Sequence, residues 1–81
     1  MRRRVPTTDE LLAGVAEIAG DGFCNRQELQ TRFRRAGSRD FRRALARAVN
    51  GGLLLSRRVR GRTHLAISAE GWRSLRGEEA A

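Results

Sequence analysis

Apolar residues recur along this chain with two different periods. Leu11, Leu12, Val15, Ile18 and Ala19 fall at helical spacing, and so do Phe41, Ala44, Leu45, Ala48 and Val49. Each set projects as one stripe, which predicts a helix with a single buried face. Thr7 stands three residues before Glu10, the spacing at which a hydroxyl and a carboxylate satisfy each other's amides at a helix start. The first helix should begin there and end at Gly20-Asp21-Gly22. Asn25 and Glu28 repeat the arrangement before a second helix of about ten residues carrying Leu29 and Phe33, with Phe23 as a core anchor between the two helices. Ala36-Gly37-Ser38 breaks that helix; Gly37 suits a left-handed helix end and Ser38 suits the cap of a third helix over 38–50, stopped by Gly51-Gly52.

Beyond Gly52 the period shortens to two. Leu53, Leu55, Arg57 and Val59, then Thr63, Leu65 and Ile67, read as one face of a hairpin; Ser56, Arg58, Arg60, Arg62, His64 and Ala66 read as the other. Arg60-Gly61 supplies the tight turn. Ser68 then caps a short last helix, 69–75, whose Trp72 and Leu75 fold back on the core. The expected class is mainly α with a small antiparallel β-hairpin: a three-helix core, a ribbon and a short C-terminal helix. In domain terms this is a flexible basic arm over 1–6, one folded unit over 7–76 and a frayed tail over 77–81.

The polar positions of the third helix carry the chemistry. Opposite its apolar stripe lie Arg39, Arg43, Ala46, Arg47 and Asn50, with Arg42 on the shoulder. The whole chain has 81 residues and a net charge of +8, and every one of its seventeen basic residues is arginine. From Thr31 to Arg62 there are eleven arginines against one acid, Asp40, a net +10, while the remainder sums to −2. A solvated face kept for solubility is the competing explanation, but solubility is served by mixed signs or by acids. A patch of one sign suffers self-repulsion and points to an anionic partner. Guanidinium, planar and permanently charged, binds phosphate or guanine through two parallel hydrogen bonds.

Several classes of function find no support. One cysteine, Cys24, gives neither an internal disulfide nor a zinc pair and reads as a small buried side chain; His64 has no second imidazole to share a metal with. There is no glycine-rich phosphate loop and no nucleophile with an evident base, so neither an enzyme nor a cofactor is expected. No apolar run is long enough for a membrane span, and the basic start lacks the apolar stretch of a signal peptide. The expected location is the cytoplasm, on the nucleoid.

Three helices, a turn, a hairpin and a closing helix are the order of a winged helix-turn-helix, which this sequence resembles over about residues 7–76. The segments that carry the likeness are Asn25-Arg26-Gln27-Glu28-Leu29, Gly52-Leu53-Leu54 and Ile67-Ser68-Ala69-Glu70-Gly71, the last similar to the segment after the wing in small bacterial regulators of the MarR and PadR type. The resemblance implies sequence-specific double-stranded DNA binding, with helix 38–50 in the major groove and wing 57–62 on the backbone or minor groove. Arg39, Arg42, Arg43, Arg47 and Asn50 are the candidate recognition-helix contacts, Arg58, Arg60 and Arg62 the wing contacts, and Arg2, Arg3 and Arg4 a minor-groove arm. Arg57, by its phase, points inward. RNA polymerase or another regulator is a further partner of such a protein. Those regulators usually carry long additional dimerisation helices that are not seen here, which leaves monomer and homodimer open. The alternatives are a low-specificity architectural protein of the nucleoid, and a winged helix used for protein docking or RNA binding.

Overall fold

The computed structural model describes residues 5–77; the arm residues Arg2, Arg3 and Arg4 and the last four residues of the tail lie outside them. Helix α1 spans Thr8–Ala19 and opens on the expected capping box: the Thr7 hydroxyl accepts from the Glu10 amide at 3.1 Å, and the Glu10 carboxylate accepts from the Thr7 amide at 3.0 Å. Removing that hydroxyl in Thr7→Ala should cost about 1 kcal/mol in chemical denaturation, because one exposed cap is lost and no packing is disturbed.

A two-residue strand, β1 (Cys24–Asn25), leads into α2 (Arg26–Arg32), where the Asn25 side chain accepts from the Gln27 amide at 2.8 Å. Helix α2 is shorter than its sequence suggests. The Phe33 amide bonds back to the Gln30 carbonyl, and that of Ala36 to the Phe33 carbonyl, so the chain has left helical geometry before Gly37. Gly37 consequently sits not at a helix end but at the N-cap of α3 (Ser38–Asn50), with φ −64° and ψ 152° in extended rather than left-handed backbone. Ser38 is the first residue inside α3 and makes no cap bond; the expected serine cap is absent.

The hairpin is formed by β2 (Leu54–Val59) and β3 (Arg62–Ile67), and the chain closes with α4 (Ala69–Leu75). Between the strands, Arg60 and Gly61 both have positive φ, 54° and 77°, as a two-residue hairpin turn of the primed type requires. The sheet order is β1-β3-β2, all antiparallel, so β3 is central and β2 is a free edge. The sequence carries no signal for the third strand, β1.

One core lies between the sheet and the helices. Leu11, Leu12 and Val15 of α1 meet Leu29 of α2, Phe41, Ala44, Leu45 and Ala48 of α3, and Cys24, Leu54, Leu65 and Ile67 of the sheet. Trp72 and Leu75 of α4 are half-buried against it, as their sequence positions suggested. Helix α4 is bound to the root of the wing. The Ser68 hydroxyl accepts from the Gly71 amide and donates to the Gly52 carbonyl, and the Ser68 amide donates to the Leu53 carbonyl. The result is a winged helix: a three-helix core, a wing and a short C-terminal helix.

The strand register revises the wing. Leu54 pairs with Ile67, Ser56 with Leu65 and Arg58 with Thr63, whereas Leu55 pairs with Ala66, Arg57 with His64 and Val59 with Arg62. Across a two-residue turn, an odd-numbered position therefore shares its face with an even-numbered one. Grouping odd with odd, as plain alternation does, shifts β2 by one residue and exchanges its faces. Leu54, not Leu53 or Leu55, is the buried residue of β2. Phe23 is likewise no core anchor: it is 44% exposed, and Cys24 fills the inward position instead.

Candidate nucleic-acid interface

Helix α3 presents the face that its sequence predicted. Phe41, Ala44, Leu45 and Ala48 are buried, while Arg39, Arg42, Arg43, Arg47 and Asn50 are all exposed. The burial of one side fixes which way the other faces, so four guanidinium groups project along a helix of thirteen residues. Asp40, the one acid of this region, lies in the first turn, where it suits the positive end of the helix dipole.

Arg58, Arg60 and Arg62 are all exposed on the wing. Their directions need correction along with the strand phase. Arg58 follows Leu54 and Ser56 on the face turned toward the core, beyond the point where the core ends, and its Nη2 reaches the Gly61 carbonyl at 3.4 Å. Arg57, read from the sequence as pointing inward, is exposed on the opposite face, its guanidinium 5.7 Å from the centre of the Phe23 ring.

The structure adds two residues that sequence reasoning missed. An open cleft of about 380 Å³ lies between the wing and the start of α2, lined by Asn25, Arg26 and Gln27 on one side and Arg58, Gly61, Arg62 and Thr63 on the other. Arg26 brings a third guanidinium to it, held by stacking at 5.8 Å over the ring of the buried Phe41. A second groove, between α2 and the start of α3, is lined by Gln27, Glu28, Gln30, Thr31, Arg34, Ala36 and Ser38. Gln27 belongs to both, so the first turn of α2 bridges the wing to the start of α3. The available signal was the position of Arg26 and Gln27 directly after the Asn25 cap, which fixes where the first turn points.

The remaining arginines of the basic segment separate. Arg34 lines the second groove and Arg35 is exposed, but Arg32 forms an ion pair with Glu17 of α1 and is drawn away from the patch. His64 is paired in the sheet between Asn25 and Arg57. Cys24 is buried in the core, and burial, followed by the negative charge of Glu28, raises its thiol above the usual range, which disfavours the nucleophilic thiolate. Among the described residues no cluster of three or more His, Cys, Asp or Glu could hold a metal, and no helix is long and apolar enough to cross a membrane.

The three-helix core, wing and closing helix place the chain in the winged-helix type of fold. Comparison with family models, curated proteins and solved structures finds no match for this chain.

Proposed function

We propose that this protein binds double-stranded DNA sequence-specifically and acts as a small transcription regulator of the kind that the MarR and PadR type exemplifies. The observation that carries the reading is the exposed face of α3: Arg39, Arg42, Arg43 and Arg47 stand on a helix whose opposite side is fully engaged in the core. A helix of this diameter fits the major groove, where arginine can bond guanine O6 and N7 together. The wing and the cleft it forms with α2 add Arg26, Arg58, Arg60 and Arg62 for phosphate or the minor groove. In this reading the protein works by occupying DNA on the nucleoid, blocking or recruiting RNA polymerase or another regulator, and performs no catalysis.

Titration of duplex DNA at increasing salt tests the electrostatic part. Five or more neutralised phosphates predict that log K falls with log salt at a slope of about −4.5 or steeper, since each neutralised phosphate releases condensed counterions. A slope near zero would refute the proposal. Selection from random duplexes then tests specificity: a defined motif supports regulation, whereas enrichment for A·T content alone would identify an architectural protein.

A further inference from the structure

The face of the sheet turned away from the core is not uniformly basic. Extending the β1–β3 register by one residue places Phe23 beside Ala66, and Ala66 is paired with Leu55. These three form an apolar row across all three strands. Phe23 and Leu55 are 44% and 50% exposed, while Ala66 between them is only 3% exposed. Next to this row comes His64 beside Arg57, and then Arg62 beside Val59, which is 40% exposed. Three of the four large apolar side chains exposed among the described residues therefore belong to this face. A polyanion has no use for them.

Strand β2 is also the longer of the sheet's two edge strands among the described residues. In a two-residue hairpin the pair flanking the turn exchanges both hydrogen bonds, so Val59, Arg57 and Leu55 bond inward to β3 while the amides and carbonyls of Ser56 and Arg58 face outward. Leu55, Arg57 and Val59 line the outer surface beside that edge in the order apolar, cationic, apolar. A second copy of the chain does not fit there. Between Leu54 and Arg62 the wing has four arginines and no acid, and like charges opposite one another destabilise a strand pair. Arginines on an edge deter self-pairing but leave it open to a strand of opposite charge.

We infer that the β2 edge docks an extended acidic segment of a partner protein, which adds as a fourth strand and sets apolar, acidic and apolar side chains against Leu55, Arg57 and Val59. Backbone bonds to Ser56 and Arg58 provide the attachment, and the alternating side chains provide the choice of partner. The inference does not depend on DNA binding, because Leu55, Arg57 and Val59 belong neither to the exposed face of α3 nor to the lining of the α2 cleft.

A peptide-display selection on the folded full chain tests it, with every selected peptide assayed against Leu55→Thr and Arg57→Gln and duplex affinity measured in parallel. The expected result is enrichment of peptides alternating apolar and acidic residues, binding that weakens about fivefold or more in either variant, and amide shifts concentrated over 54–59. Leu55→Thr keeps a strand-forming residue at an exposed site, so the variant folds, and its duplex affinity should be unchanged. Enrichment of no peptide, or of peptides indifferent to both variants, overturns the inference. Loss of duplex affinity in Leu55→Thr overturns it too, by assigning this face to nucleic acid.

Discussion

Replacing Arg39 and Arg43 together with alanine is expected to lower affinity for the preferred duplex about thirtyfold or more, at roughly 1–3 kcal/mol for each guanine left without its arginine. Both side chains are exposed and lie on the line of α3 farthest from Phe41, Ala44 and Ala48, so the double variant should retain its denaturation midpoint. The loss should also be selective. Affinity for random duplex should fall much less, because bonds to base edges carry sequence information and those to phosphates do not. Arg58→Ala should behave in the opposite manner, weakening all duplexes alike and reducing the salt slope by about one. Arg73, in the last turn of α4, serves as a control whose removal should change little. Equal losses on every sequence for the α3 variant would leave the helix a phosphate-binding element only and remove its role in recognition.

The largest effect on stability is expected from one added methyl group. A Cβ at Gly71 would overlap the Leu53 carbonyl oxygen and come within 2.8 Å of Ile67 Cγ2. Neither neighbour can yield easily: the Leu53 carbonyl is held by the Ser68 amide, and Ile67 is the last residue of a core strand. Gly71→Ala should therefore cost about 3 kcal/mol or more, an overpacking penalty at the upper end of the usual range. In a domain of this size that corresponds to a fall in Tm of about 12 °C or more. Ser68→Ala, which removes the cap and the bond to the Gly52 carbonyl but introduces no clash, should cost only about 1–2 kcal/mol. Similar thermal melts for the two variants would show that the α4 start can relax away from Leu53.

Helices α1 and α3 were legible because each announces itself several times over, whereas α2, with only Leu29 and Phe33 to mark it, ended earlier than its sequence suggests. Phe41, Ala44, Leu45, Ala48 and Val49 repeat one period through more than two turns, and the exposed arginines follow from that phase with nothing further required. Thr7 and Glu10 form their box through local geometry alone. The wing was less legible. Leu53, Leu54 and Leu55 stand side by side, and alternation cannot choose among three adjacent leucines; the choice falls to the two-residue turn, which ties Leu54 to Ile67. Strand β1 is too short for any period to register, and only pairing with Leu65 and His64 makes it a strand. Phe23 obeys the same logic. Its neighbour Cys24 takes the inward position of β1, opposite Leu65 of β3, which leaves the larger side chain outside. For Arg26 the Asn25 cap marks only the first turn of α2, and its place in the cleft depends on a wing about thirty residues away along the chain.

Leu53 joins three elements. Its amide is held by the Ala48 carbonyl in the last turns of α3, and its carbonyl by Ser68 at the start of α4. A ribbon rooted this way is tied at its base to both α3 and α4, which restrains the span from helix to ribbon before any ligand arrives. A duplex that engaged both would meet a braced caliper, and less ordering entropy would be subtracted from the affinity.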